Sequence, residues 1–172
     1  MSVILAILAV LLMAGAFILL FKKEMLGPVA AFLAMSAVYF SGLLPMNANM
    51  LITWLCLTLI VTGVSAMQSP AVMAQTRGMG YITIGAIAGM VVGLLGFSVS
   101  DTLGTVYAMM SIGVLAGCFF GYFLFTRTPN GRQLSYSRSR FFAYLLAKGF
   151  PVAISVMQLG VISILWIAIT KY

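Results

Sequence analysis

Six apolar runs without a charged side chain, 2–21, 28–45, 50–66, 80–98, 103–125 and 150–170, set the limits of what this chain can fold into. A helix needs about 20 mostly apolar residues to cross a hydrocarbon core of about 30 Å, and each run is close to that length. In lipid the backbone must satisfy its own hydrogen bonds, which leaves helices and closed barrels. The runs are continuous rather than alternating, so they read as helices. A soluble reading fails on composition: charged residues make up 6% of the 172 residues and hydrophobic ones 63%, against about 25% charged in a globular domain. The expected fold class is all-α, a polytopic integral membrane protein whose residues 1–172 form one six-helix transmembrane domain.

The breaks between runs carry turn chemistry. Lys22-Lys23-Glu24 precedes Gly27-Pro28, while Pro45, Asn47 and Asn49 punctuate the second hairpin. Asp101 is placed to cap the fifth span, where a negative charge suits the helix dipole. Met1 and Ser2 lead straight into apolar sequence and the lysines follow it, the reverse of a signal peptide. Residues 2–21 are therefore expected as a retained helix. With six spans, Lys22, Lys23, Arg77, Arg127, Arg132, Arg138, Arg140 and Lys148 fall on one side and only Lys171 on the other. Basic residues in short loops mark the cytoplasmic side, so both termini are expected to be non-cytoplasmic.

Residues 126–149 form the expected basic cytoplasmic loop. It mixes Arg127, Arg132, Arg138, Arg140 and Lys148 with Tyr136, Phe141, Phe142 and Tyr144. That composition suits an interfacial segment with aromatic rings at headgroup depth and basic heads reaching phosphates. The loop serves orientation first, with partner docking or lipid-headgroup contact as further roles. Pro151 fits the first turn of the sixth span. Membrane lipids are the expected partners, with other membrane subunits or further copies of the chain. Nucleic acid is not expected, because the basic loop is tied to the bilayer at both ends.

Two kinds of small-residue pattern stand out inside the runs. Gly85, Gly89, Gly93 and Gly96 share one face of the fourth span, and Gly113, Gly117 and Gly121 share one face of the fifth. Such faces let helix backbones approach closely where lipid offers no hydrophobic reason to associate. They are expected to pack within the chain, or else against another subunit. Thr58, Thr62 and Ser65 follow Trp54 along a face of the third span, and Ser155 and Gln158 share a face of the sixth. These five are the candidate polar lining. The competing reading is that the hydroxyls bond to nearby carbonyls.

Most chemistry lacks its residues. The chain has no histidine, and Cys56 and Cys118 lie in separate spans, where cysteine acts as a small hydrophobe. Glu24 and Asp101 fall on opposite sides of the membrane, which removes paired-carboxylate catalysis. No enzymatic activity, metal or cofactor is expected. The economy of loops suits a bacterial inner membrane. The leading expectation is a non-enzymatic, multi-pass subunit of an envelope assembly such as a secretion or conjugation machine. The alternative is a small transporter or channel for an uncharged or apolar solute, acting alone or as a homo-oligomer.

Overall fold

The computed structural model describes residues 2–22, 26–42, 44–69, 72, 77–95, 102–132 and 138–170, with backbone alone for 2–3, 103, 138–140 and 168–170. Five helices come first: α1 (Ser2–Lys22), α2 (Leu26–Ser41), α3 (Ala48–Ala66), α4 (Met79–Leu95) and α5 (Leu103–Arg127). Two short helices follow, α6 (Pro129–Arg132) and α7 (Arg138–Tyr144). A π-helical turn at Leu145–Gly149 then leads into α8 (Phe150–Thr170). All regular structure among the described residues is helical.

Four stretches are long and apolar enough to cross a membrane: Ile4–Lys22, Ala48–Ala66, Gly104–Arg127 and Phe141–Ile167. The protein is membrane-embedded. Its outward faces agree, with Ile4 72%, Phe40 70% and Leu95 77% exposed, where only lipid makes such exposure favourable. Helices α2 and α4 are apolar but shorter, at 16 and 17 residues, or about 25 Å. The second run was expected to continue to residue 45, but Gly42 takes a positive φ of 67° and ends α2. Asn47 then caps α3 by accepting from the Asn49 amide at 3.4 Å. At α5 the cap is Thr102, whose hydroxyl accepts from the Thr105 amide at 3.4 Å. Asp101, expected in that role, lies outside the described residues.

Helices α4 and α5 run antiparallel with their glycine faces together. A Cβ at Gly85 would overlap the Gly117 carbonyl, one at Gly89 the Gly113 carbonyl, and one at Gly121 the Tyr81 carbonyl. At Gly93 it would come within 2.8 Å of the Met109 carbonyl oxygen. The two backbones touch, at a separation only glycine permits. Gly96 lies outside the described residues.

The remaining contacts gather one set of helix ends. Leu20 and Ser155 both lie against Gly27, and the Thr83 hydroxyl donates to the Leu20 carbonyl at 3.4 Å. The Ser65 hydroxyl donates to the Ala147 carbonyl at 2.9 Å. The ends of α1 and α3 therefore meet the starts of α2, α4 and α8, and Phe125 near the end of α5 lies against Gly78 just before α4, so α1 to α5 and α8 alternate in direction. Lys22, Arg77, Arg127 and Arg132 all belong to this end and are exposed. Among the four long stretches, Phe141–Ile167 is 67% buried, against 33% for Gly104–Arg127 and 17% for each of the others. Helix α8 and the turn before it form the centre of the bundle.

That centre corrects the reading of residues 126–149 as loop. From Arg138 onward the chain is helical and runs continuously into α8, and Tyr144, Ala147, Lys148 and Gly149 are buried. Of the aromatic residues expected at headgroup depth, Tyr144 and Phe141 pack inward instead, Phe142 is exposed and Tyr136 lies outside the described residues. Tyr144 stacks on Tyr122 of α5 with ring centroids 4.7 Å apart, and Phe141 lies 4.8 Å from the same ring. Burying large rings against each other is worth more than leaving them at the interface, and it draws the segment into the bundle.

Candidate functional site

Pro151 explains the π-helical turn and with it the placement of Lys148. A proline has no N–H to donate to the carbonyl four residues back, and its ring collides with that carbonyl in a regular helix. Here that carbonyl belongs to Ala147. The helix opens at this point, and the Phe150 amide donates to the Leu145 carbonyl, a five-residue step. Such π-turns inside helices occur often at functional sites. The Ala147 carbonyl is satisfied from outside, by the Ser65 hydroxyl of α3 at 2.9 Å. Cys118 of α5 directs its thiol at the Gly149 carbonyl at 3.8 Å, and the Tyr144 hydroxyl donates to the Arg77 carbonyl at 2.9 Å. The turn is thus held by three other parts of the chain.

Lys148 sits in this turn with 0% of its surface exposed. It was expected on the basic loop, with its ammonium among lipid phosphates. The extra residue of the π-turn and the inward pull of Tyr144 place it in the bundle instead. Its Nζ lies 5.6 Å from the centroid of the Tyr144 ring, within reach of a cation–π interaction. Sequence reasoning placed this residue with the partner- or headgroup-facing basic loop and missed its burial. The signal was Pro151, which marks where the preceding helix must open.

The candidate polar residues divide between two partners. Gln158 Nε2 donates to Thr58 Oγ1 at 2.8 Å, joining α8 to α3. Thr58 in turn donates to the Trp54 carbonyl at 2.7 Å, and Thr62 to the Thr58 carbonyl at 2.7 Å. Ser155 donates to the Pro151 carbonyl at 2.7 Å. Thr58, Ser65, Ser155 and Gln158 are buried and Thr62 is half-buried. The structure therefore brings Thr58, Ser65 and Gln158 into one polar seam between α3 and α8, which ends at the Lys148 turn. Thr58 commits its hydroxyl proton to a carbonyl one helical turn back, and Ser65 commits its proton to the Ala147 carbonyl.

A second seam has the opposite character. Between α1 and α8 lies a half-open cavity of about 640 Å³. One wall is a stripe of α1 running from Ala6 to Leu20, and the other is a stripe of α8 from Val156 to Ile167; Val38, Ile87 and Met90 also border it. The α1 wall is about 21 Å long at 1.5 Å per residue. The two serines in the lining are neutralised by their own helices: Ser41 donates to the Val38 carbonyl at 2.7 Å and Ser163 to the Leu159 carbonyl at 2.9 Å. None of the five candidate polar residues lines this groove.

The basic residues are more dispersed. Arg127 is exposed, with its guanidinium 4.8 Å from the Phe123 ring centroid, and Arg132 is exposed at the end of α6. The side chains of Arg138 and Arg140 lie outside the described residues. Cys118 is buried as expected, but Cys56 is on the exposed face of α3.

Removing the Ser65 hydroxyl tests how firmly the turn is held. Ser65→Ala leaves the Ala147 carbonyl without either its backbone or its side-chain donor. The expected loss is about 1–2 kcal/mol, at the upper end for interhelical hydrogen bonds in membranes. Equilibrium unfolding in mixed micelles reads it; an unchanged midpoint would mean the carbonyl is satisfied by other means. Compared with known protein families, curated proteins and solved structures, the chain matches none.

Proposed function

We propose that this chain is a non-enzymatic, multi-pass protein of a bacterial inner membrane that takes an apolar or uncharged solute from the bilayer into the α1–α8 seam and carries it across. The observation that carries this reading is the groove of about 640 Å³. Its size falls in the range of small-molecule sites, which are mostly apolar clefts. Its lining includes the exposed Val10, Phe17, Trp166 and Ile167, apolar side chains that a lipid-soluble molecule would meet from the bilayer. A passive carrier of such a solute needs no coupling carboxylate in its path.

The topology that goes with this function has six spans, with α2 and α4 completing the four longer stretches. The alternating helix directions and the basic residues at one end of the bundle support it. That end faces the cytoplasm, and both termini face the other side. A C-terminal alkaline phosphatase fusion is expected to be active and a C-terminal green fluorescent protein fusion dark. The reverse pattern would remove one span.

Transport is tested with purified protein in liposomes, using efflux of small uncharged lipophilic dyes. Filling the groove from the α1 wall with Ala14→Phe should slow protein-dependent efflux by about tenfold, equivalent to about 1.4 kcal/mol of lost binding. Ala14 faces the groove and is otherwise exposed, so the bundle should tolerate the ring. No protein-dependent efflux of any dye would sink this reading.

A second reading is a membrane subunit of a multiprotein envelope assembly, such as a secretion or conjugation machine. The exposed Arg127 and Arg132 at the basic end favour it, because a charged surface outside the bilayer offers a docking point for an acidic partner. Native mass spectrometry after gentle extraction separates the two. Reproducible co-purifying polypeptides support the subunit, whereas a monomer or homo-oligomer supports the carrier.

A further inference from the structure

The polar seam contains one group that the chain does not satisfy. Gln158 is fully buried near the middle of α8, and its Nε2 is committed to Thr58. Its Oε1 meets no donor among the described residues. The other buried donors are engaged or distant. Thr58 donates to the Trp54 carbonyl, Ser65 to Ala147, Ser155 to Pro151 and Thr83 to Leu20. Tyr122 and Tyr144 belong to the aromatic cluster beside the Lys148 turn. Lys148 itself lies about 15 Å away along the helical stretch.

Turning the amide over would put Oε1 against Thr58, whose single proton would have to leave the Trp54 carbonyl. As placed, Oε1 looks for a donor that the described residues do not supply. An unpartnered amide group in apolar surroundings is strongly unfavourable, and buried polar groups are nearly always hydrogen-bonded. The seam also holds several polar atoms close together, which is the setting in which buried water is found.

We infer that Gln158 and Thr58 form a hydrogen-bonding site inside the α3–α8 seam for a small O–H or N–H donor from outside the chain. Water is one source of that chemistry, and the hydroxyl or amide of an uncharged solute is the other. The site is separate from the apolar groove: Gln158 does not line it, although Val156 and Leu159 on either side of it do. The inference therefore stands whether or not the groove carries a solute.

The test uses the full chain in lipid bilayers, labelled with 13C and 15N at glutamine, and magic-angle-spinning NMR. Gln158→Met assigns the signal by its loss. If that variant does not fold, replacing Gln68, Gln75 and Gln133 with asparagine leaves Gln158 as the only glutamine. The expected result is magnetisation transfer from water to the Gln158 side-chain amide, together with a Cδ shift typical of a hydrogen-bonded carbonyl. A hydrogen-bonded Cδ shift without transfer from water identifies a retained solute as the donor. Absence of transfer with a Cδ shift typical of a free carbonyl overturns the site.

Discussion

Gly89→Ala is expected to prevent the bundle from forming. The added methyl would overlap the Gly113 carbonyl and press on the Gly117 Cα, both of them backbone atoms that no rotamer change can move aside. Helices α4 and α5 would have to separate along their whole contact, losing van der Waals packing and the weak Cα–H···O contacts of close-packed backbones. Overpacking usually costs about 1–3 kcal/mol, and an obstacle made of backbone belongs at or above the top of that range. Gly63→Ala is the control. Nothing lies within 4 Å of a Cβ at Gly63, in the interior of α3, so the substitution should be neutral or stabilise by up to about 1 kcal/mol through helix propensity. Size-exclusion chromatography of fluorescently tagged variants reads both. Equal, monodisperse recovery of Gly89→Ala and Gly63→Ala would show that α4 and α5 do not meet through these glycines.

The glycine faces could be read in the sequence because a spacing of four keeps residues on one side of a helix whatever its surroundings. The two seams of α8 could not be read this way. Thr58 and Gln158 meet across one hundred positions of chain, and hydroxyl spacing along α3 alone cannot distinguish a lining from a row of carbonyl bonds. The groove is built mainly from alanine, valine, leucine, isoleucine and methionine, with Phe17 and Trp166, ordinary apolar residue types of membrane spans. It exists because of where α1 stands relative to α8. Lys148 was misplaced for a different reason: a charge ends an apolar run, so a hydropathy reading puts the boundary at Phe150. Pro151 and Tyr144 carry the contrary information, one by opening the helix and the other by anchoring it inward. Both effects depend on contacts with α3 and α5.

Charge reversal at Lys148 is the second large effect expected. Lys148→Glu should fail to fold or lose more than about 3 kcal/mol, whereas Lys148→Met should lose much less. The side chain is fully buried, and its head lies over the Tyr144 ring. The face of an aromatic ring is its negative side, so a cation is attracted there and a carboxylate repelled. The surroundings also deny the carboxylate the water that would offset its desolvation. Methionine keeps an unbranched chain of similar reach without carrying a charge into the bundle, and replacing buried ionic groups by apolar ones of similar volume is often tolerated. Both substitutions remove a positive charge from the basic end and Lys148→Glu adds a negative one, so the difference between them reads the cost of placing a carboxylate in this buried position. Equal stability of the two variants in lipid nanodiscs would mean that water reaches the turn. If the expected order holds, a protein that is stable without a lysine here nevertheless carries one in its most buried helical stretch. Ionisable residues retained at such positions usually mark a functional contact. Efflux measured on the folded Lys148→Met protein should then fall while Gly63→Ala leaves it unchanged.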